Sequence, residues 1–232
     1  MSRLEAEALR RALGECTIGC EIVVLEETTS TNDAVLQMAT PNTREGLVLF
    51  AEHQTAGRGQ RHNRWESAAR KGLWFSILLR PIVDLSKSAR LTAWAAEIVA
   101  KTILQELALA ATIKLPNDIC VEGKKVAGVL VEMRAQEKAP YLAILGIGIN
   151  VNQTPEDFSE ELRPHAISLA IALDRPVDRQ DFAVALLHNL DRTYREVFAS
   201  HEDGSSSLLS AFGETRPIAS SMLKTRRRSR IN

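Results

Sequence analysis

The chain has 232 residues, with 29 basic and 29 acidic side chains and a formal net charge of zero. A neutral chain excludes strong overall attraction to nucleic acid or membranes, so only local charge clusters can point to a partner. The sequence has no long uncharged apolar run, which excludes a transmembrane helix. Its charged N-terminus, MSRLEAEALRRALGE, lacks the apolar stretch of a signal peptide. The three cysteines (Cys16, Cys20 and Cys120) are predicted to be free buried thiols in a reducing cytoplasm.

The first half of the chain predicts helices that alternate with apolar strands. Apolar residues at helical spacing predict a short helix over 2–13, and a strand follows over 22–25. A second helix begins near Ser30, which could form a capping box with Asp33. Two apolar runs then predict core strands. They cover residues 46–53 and 72–80.

The second half predicts further strands and two amphipathic helices. Four apolar runs bounded by turn residues predict strands at 111–115, 119–121, 126–133 and 141–151. Apolar positions at steps of three and four predict a long helix, capped by Ser86 or Ser88, that reaches 107. The same spacing predicts a helix over 178–199, and a short helix is expected over 156–162.

The connections between the later strands indicate the fold class. Short turns rather than helices join the strands between 111 and 151, so these strands should pair antiparallel. We therefore predict an α+β fold with a mixed, mainly antiparallel sheet and packed helices. Residues 1–200 should form one domain, and residues 201–232 a polar, basic tail.

The stretch 52–74, hereafter the basic segment, joins the two core strands predicted first. It has five basic residues between positions 58 and 71 and one acid, Glu66. A basic loop on a rigid scaffold suits an anionic ligand such as a phosphate ester. A solvated surface hairpin explains the same pattern equally well.

Three other short motifs have both a structural and a functional interpretation. Ser30-Thr31-Asn32 is typical of a helix start, where hydroxyl and amide groups can also hold a polar ligand. Lys114-Leu115-Pro116-Asn117-Asp118 is a turn signal that carries charged groups. Lys125 precedes Gly128 at the entry to a strand, so it can face either solvent or a charged ligand.

In this order, the motifs resemble the catalytic domain of biotin–protein ligases (biotin–[acetyl-CoA-carboxylase] ligases). The resemblance covers about residues 22–198. The matching stretches are 30–32 (STN), 52–59 (EHQTAGRG), Trp65, 114–118 (KLPND), 125–132 (KVAGVLVE) and 146–152 (GIGINVN).

The resemblance implies a fold like that of class II aminoacyl-tRNA synthetases and lipoate ligases. It also implies ATP-dependent biotinylation through biotinyl-5′-AMP, with ATP and Mg²⁺ as cofactors and biotin as substrate. The expected partner is a biotin carboxyl carrier protein of acetyl-CoA carboxylase. The expected protein is a cytoplasmic monomer or homodimer that binds neither DNA nor membranes.

The resemblance also assigns roles to individual residues. Lys125, Arg58 and Lys114 are the expected catalytic residues. The expected biotin contacts are Ser30, Thr31, Asn32, Gln54, Gly57, Arg58, Lys125 and Gly128. The expected ATP or adenylate contacts are Arg58, Gly59, Arg61, Trp65, Lys114, Asn117, Asp118 and Asn150. No metal cage made of protein ligands alone is expected, because Mg²⁺ would enter with ATP near Asp118.

The basic segment departs from the family pattern Gly-Arg-Gly-Arg-x-Gly-Arg-x-Trp. Gln60 replaces the second arginine, His62 the third glycine and Asn63 the third arginine. A neutral amide cannot supply the charge of an arginine, so Gln60 predicts weaker loop closure and weaker retention of the adenylate. Leu115 replaces a customary tryptophan, which predicts looser packing against the purine.

Both ends of the chain also differ from the family pattern. The C-terminal β-barrel of the family is expected to be absent, and about 21 residues before the first strand are too few for an N-terminal winged helix. These expectations favour a ligase over a DNA-binding repressor. Two alternatives stay open. One is a module that binds biotin or its adenylate without turnover, and the other is a lipoate-type ligase on the same fold.

Overall fold

The protein is described here by a computed structural model, which describes residues 2–81, 88–134 and 141–199. Its strands within these ranges are β1 (Glu21–Thr28), β2 (Leu47–Gln54), β3 (Leu73–Leu79), β4 (Ala111–Lys114), β5 (Asp118–Val121), β6 (Lys124–Arg134) and β7 (Leu142–Ile149). Its helices are α1 (Ala6–Leu13), α2 (Thr31–Met38), α3 (Ser88–Leu107), α4 (Leu169–Leu173) and α5 (Arg179–Tyr194).

The strands of the described ranges form one mixed sheet in the order β1-β2-β3-β7-β6-β5-β4. β1 and β2 are parallel, and each remaining neighbour pair is antiparallel. The predicted α+β class and the predicted antiparallel pairing after residue 111 are therefore confirmed. The parallel pair follows from α2, which crosses between β1 and β2 and reverses the chain.

The two faces of the sheet carry different side chains because residues alternate along each strand. On one face, large apolar side chains such as Phe75 and Leu145 form the main core with α1, α3 and α5. On the other face, a smaller cluster packs around Val35 of α2. Beside that cluster, the second face carries Ser76, Gly128 and other small residues rather than bulky apolar groups. This leaves space for a ligand.

Two predicted helices need correction, and one short helix was not predicted. Residues 156–162 do not form an α-helix: a 3₁₀ turn spans Pro155–Asp157, because few apolar side chains in the segment can pack and Pro164 disfavours helix before it. α4 was not predicted, since it has only five residues. The predicted helix over 178–199 divides into α5 and a π-helical end, Arg195–Ala199.

Ser30 precedes α2 as predicted, but its side chain makes no capping hydrogen bond. The backbone N–H of Thr31 instead donates to Oε1 of Gln54 at 2.8 Å. Asp33, the expected capping-box partner, forms an ion pair with Arg58. The capping-box prediction was wrong, because the Ser30 side chain makes no capping hydrogen bond and the Asp33 carboxylate pairs with Arg58.

The cysteine prediction was only partly right. All three thiols are free, but only Cys120 is buried, whereas Cys16 and Cys20 are half-buried. Burial raises the pKa of each thiol, which makes the nucleophilic thiolate scarce. Ser86 and the predicted tail at 201–232 lie outside the described residues. Within those residues, no helix is long and apolar enough to cross a membrane.

Both ends of the basic segment meet at one buried guanidinium. Nη1 of Arg179, at the start of α5, donates to Oε2 of Glu52 at 2.7 Å and to the carbonyl of Gly72 at 3.0 Å. The backbone N–H of Leu4 donates to the other Glu52 oxygen at 2.7 Å. Glu52 and Arg179 are both buried, so each charge depends on the other for its neutralisation.

We expect Arg179→Met to lower the free energy of unfolding by about 3–5 kcal/mol, because it leaves the Glu52 carboxylate buried and unpaired. Urea unfolding followed by circular dichroism measures the loss. Adding Glu52→Gln should recover much of it, since the uncompensated charge is then gone. The control is Arg175→Met, which changes an exposed arginine just before α5. Equal losses for Arg179→Met and Arg175→Met would contradict this account.

Candidate active site

A cavity of about 270 Å³ opens on the second face of the sheet. Four regions surround it: the start of α2, the basic segment, the β4–β5 turn, and the adjoining stretches of β6 and β7. These regions contain the four motifs that the sequence singled out. The fold thus brings together segments that are far apart in the chain.

A buried polar network forms the corner of the cavity near α2. Oγ1 of Thr31 donates to Oε1 of Gln54 at 3.1 Å, and the hydroxyl of Ser76 lies 2.8 Å from Thr31 Oγ1 and 2.5 Å from Asn32 Oδ1. Ser30, Thr31 and Asn32 are all less than 5% exposed. Buried hydroxyl and amide groups held in fixed directions suit a ligand head that both donates and accepts hydrogen bonds.

Glycines form the floor of the cavity, and Trp65 lies on it. Gly128 and Gly148 face each other across β6 and β7. A Cβ atom at Gly128 would lie 2.8 Å from the indole of Trp65, and one at Gly148 would lie 2.5 Å from it. Only glycine therefore allows the ring to lie this close to the strands. The indole Nε1–H is buried and has no hydrogen-bond partner among the described residues.

Two of the cations that line the cavity, Lys125 and Arg58, contact carboxylates. Nζ of Lys125 lies 2.7 Å from Oδ1 of Asp118 and 5.1 Å from the centre of the Trp65 ring. Nη2 of Arg58 lies 2.8 Å from both Asp33 and Glu132. These cations can stabilise negative charge that develops on a ligand between them.

The β4–β5 turn is held beside β6 by two hydrogen bonds between Asn117 and Val129. The Leu115–Pro116 peptide bond is cis. Nδ2 of the buried Asn117 donates to the carbonyl of Val129 at 2.9 Å, and the Val129 N–H donates back to the Asn117 carbonyl at 3.1 Å. This exchange fixes the turn against β6, so Asp118 faces Lys125. Leu115 is 68% exposed at the rim of the cavity.

Polar contacts outside the cavity hold the end of the basic segment. Nζ of Lys71 donates to Oδ2 of Asp157 at 2.5 Å. Burial raises the pKa of the Asp157 carboxyl, but this hydrogen bond and those from Thr154 outweigh it, so the pKa is lowered. Arg70 forms a close ion pair with Glu26, and its hydrogen bond lowers the pKa of that carboxyl.

Most of the residues expected from the sequence line the cavity. They are Ser30, Thr31, Asn32, Gln54, Arg58, Gly59, Arg61, Trp65, Lys114, Asn117, Asp118, Lys125 and Gly128. Gly57 does not line the cavity. Its carbonyl accepts a hydrogen bond from the backbone N–H of Trp65 at 2.9 Å. Asn150 also lies away from the cavity: its amide donates to the carbonyl of Ile167, and its oxygen accepts from Gln153.

The sequence analysis gave no role to four residues that shape the site, two of which, Glu132 and Gly148, lie in stretches that match the family. Asp33 and Glu132 pair with Arg58, Ser76 orients Asn32, and Gly148 completes the floor. Two of them carry a visible signal. Ser76 is the one polar residue in the apolar run of β3, and Glu132 lies four residues after Gly128, which places it on the same face of β6. Asp33 gave no such signal, because an acid in the first turn of a helix is common.

The described residues contain no cluster of three or more His, Cys, Asp or Glu side chains that could hold a metal ion. Among the described residues, Asp118 is the one carboxylate that lines the cavity. A single carboxylate suits Mg²⁺ that arrives with substrate phosphates, since Mg²⁺ keeps several waters and takes few protein ligands.

Comparison with known proteins identifies the family. Residues 24–150 match the biotin/lipoate A/B protein ligase family. The chain is 37% identical over 194 residues to the Bacillus subtilis protein named "Bifunctional ligase/repressor BirA", covering 84% of this chain and 60% of that protein. It is 33% identical to the "Biotin--[acetyl-CoA-carboxylase] ligase" of Mycobacterium tuberculosis, covering 82% of this chain and 71% of that protein.

Solved structures agree with this match. The biotin protein ligase from Aquifex aeolicus in complex with biotin and ATP superposes with a TM-score of 0.66 at 29% identity, covering 78% of this chain and 72% of that chain. A biotin protein ligase from Leishmania major, in complex with biotin, gives 0.63 at 25% identity and covers 91% of this chain and 87% of that chain. The chain belongs to the biotin/lipoate A/B protein ligase family, and within it to the biotin protein ligases. The predicted family is thus confirmed.

We expect Gly148→Ala to push the Trp65 indole out of the cavity, because the new methyl group would lie 2.5 Å from Cε2 of the ring. Acrylamide quenching of tryptophan fluorescence should increase. Gly59→Ala is the matched control, since its nearest contact is an ordinary 3.4 Å. Repeating Gly148→Ala in a Trp65→Phe background should give no increase, and an increase there would show that another tryptophan responds.

Proposed function

We propose that the protein attaches biotin to a lysine of a carrier protein in two half-reactions that use ATP. First, an oxygen of the biotin carboxylate attacks the α-phosphorus of ATP, which forms biotinyl-5′-AMP and releases pyrophosphate. Second, the carrier lysine amine attacks the acyl carbon, which forms an amide and releases AMP and a proton. The supporting observation is that two cations and a buried polar corner flank one cavity in a chain of this family.

The proposed catalytic residues act by neutralising negative charge. Arg58 contacts the biotin carboxylate and the phosphate, because its planar guanidinium can bond both. Lys125 stabilises the negative charge between the reacting carboxylate and the α-phosphate. Lys114 acts on the outer phosphates. Fixed cations in a site of limited water access are among the strongest contributions to such a reaction.

The proposed biotin site is the buried polar corner. Ser30, Thr31, Asn32 and Gln54 would hydrogen-bond the ureido ring, whose polar groups need matched partners when buried. Their existing network supports this role, since Ser76 already orients Thr31 and Asn32. Gly128 lacks a Cβ atom, which lets the Trp65 ring lie close to β6 and leaves room for biotin beside that ring. The Gly57 carbonyl holds the Trp65 backbone.

The proposed adenylate site lies on the side of the basic segment and the β4–β5 turn. Gly59, Arg61 and Trp65 would cover the ligand, and Asn117 would hold Asp118 near the phosphates. The Asn150 side chain already bonds Ile167 and Gln153, so its proposed contribution is to fix the backbone at the end of β7. Bound Mg²⁺ neutralises phosphate charge, and Asp118 is its proposed protein contact.

The partner and setting are also part of the proposal. The Bacillus relative is covered over 60% of its length, so the carrier protein and the complete reaction are inferred for this chain. The proposed carrier is the biotin carboxyl carrier protein of acetyl-CoA carboxylase, since the Mycobacterium tuberculosis relative is named for that carboxylase. A cytoplasmic location, a monomer or homodimer and the absence of DNA binding stay predictions.

The lipoate-type alternative has weaker support. A lipoate protein ligase from Thermoplasma acidophilum shares the fold at 14% identity, whereas the biotin ligases of Bacillus subtilis and Mycobacterium tuberculosis reach 37% and 33%. A competition assay between biotin and lipoate separates the two functions. A module that binds biotin without turnover is the other alternative, and the exchange assay below addresses it.

We expect the protein to catalyse biotin-dependent exchange of labelled pyrophosphate into ATP. Lys125→Ala should lower the exchange rate about 100-fold or more, because one fixed cation at the reacting oxygens is lost. Lys124→Ala removes the exposed neighbouring lysine and should leave the rate near that of the wild type. Absence of exchange in the wild-type protein would favour the module that binds without turnover.

We expect Gln60→Arg to slow the release of biotinyl-5′-AMP in the absence of carrier by about tenfold, because a charged hydrogen bond to the phosphate is gained. Gln60 lines the cavity, so an arginine there can reach the adenylate. Gln37→Arg adds the same charge at an exposed position of α2 and is the control. Unchanged release from Gln60→Arg would sink the hypothesis that Gln60 weakens retention.

A further inference from the structure

Arg58 contacts two carboxylates through a single nitrogen. Nη2 donates a hydrogen bond to Oε2 of Glu132 at 2.8 Å, and Oδ1 of Asp33 lies 2.8 Å from the same nitrogen. Both acids lie beside the cavity, and neither is among the residues that line it. The cation expected to bind a ligand anion is therefore already neutralised by the protein.

The choice of nitrogen matters for anion binding. A guanidinium binds a carboxylate or phosphate most strongly through two parallel N–H groups, which are either Nε with Nη2 or Nη1 with Nη2. Nη2 belongs to both pairs. While Asp33 and Glu132 contact Nη2, an incoming anion meets two negative oxygens there and can form only single hydrogen bonds with Nε or Nη1.

The two carboxylates differ in how firmly they are held. Glu132 also accepts a hydrogen bond from Nδ2 of Asn32 at 2.6 Å, so it is fixed to the polar corner. Asp33 lies in the first turn of α2, and Arg58 is the one ion-pair partner shown for it among the described residues. The Asp33 and Arg58 side chains are 36% and 41% exposed, and an ion pair this exposed is weak enough for a ligand to displace.

We propose that Asp33 and Glu132 are positioning residues that set how strongly Arg58 binds the ligand anion. This inference rests on the proposed function and deepens it. Glu132 holds the guanidinium at the edge of the polar corner, and Asp33 competes with the biotin carboxylate or the adenylate phosphate for Nη2. Binding of the anion displaces Asp33, and Asp33 returns to Arg58 when the anion leaves.

The competition makes a selective prediction. Asp33→Asn removes the competing charge but keeps the size of the side chain, so it should strengthen binding of an anionic ligand and leave a neutral analogue unaffected. Isothermal titration calorimetry with biotin and with biotin methyl ester measures both. We expect biotin to bind about two- to fivefold more tightly to Asp33→Asn, with the ester unchanged.

Two further variants separate competition from general effects. Asp33→Glu keeps the negative charge and should keep the ratio of biotin affinity to ester affinity near that of the wild type. Glu106→Gln removes one negative charge at an exposed position of α3, which packs on the other face of the sheet, and should change neither affinity. A change in Glu106→Gln as large as that in Asp33→Asn would overturn the proposal, since it would show a general charge effect.

The remaining outcomes also decide the question. If the wild type binds biotin and Asp33→Asn binds it equally or more weakly, Asp33 does not compete for Arg58 and the proposal fails. Equal strengthening for biotin and its ester overturns it as well, because the effect then lies away from the anion. If the wild type binds neither ligand, the proposed function fails, and the role of Asp33 fails with it.

Discussion

The buried contact between Arg179 and Glu52 is the constraint on which the site depends. One guanidinium bonds the last part of β2 and the backbone just before β3, so it closes the base of the basic segment. The Glu52 carboxylate also accepts from the N-terminal segment at Leu4. A charge that is buried here is costly unless it is paired. The two ends of the basic segment are therefore held together in the folded protein. Between these ends, Arg58 and Trp65 of the segment line the cavity.

The second face of the sheet forms the other half of the site, because it has no bulky side chains at the floor of the cavity. Glycines on β6 and β7 take the place of bulky side chains, and the Trp65 ring lies against them. Nζ of Lys125 lies 5.1 Å from the centre of the same ring. The basic segment therefore contributes both a cation at Arg58 and an aromatic cover, while the rigid strands contribute the floor and the second cation. Neither part forms a site alone.

The sequence predicted the strands, the long helices and most of the cavity lining, because alternating apolar residues, glycines and short polar motifs are local signals. It predicted less well where contacts between distant residues decide the result. Ser30 and Asp33 have the spacing of a capping box, but the Ser30 side chain makes no capping hydrogen bond and Asp33 pairs with Arg58. Asn150 belongs to a motif of the family, yet its side chain holds Ile167 and Gln153. No local pattern indicates Arg179 as the partner of Glu52, since they are 127 residues apart.

Hydrogen–deuterium exchange with and without biotin and ATP tests the central claim most directly. The claim is that the basic segment is fixed at its base and that its tip covers the bound ligand. We expect slow exchange at the backbone amides of Leu4 and Arg70, which donate to Glu52, under both conditions, and exchange between Arg58 and Trp65 that slows markedly when both ligands are added. Fast exchange at the base, or exchange at the tip that the ligands leave unchanged, would contradict this account.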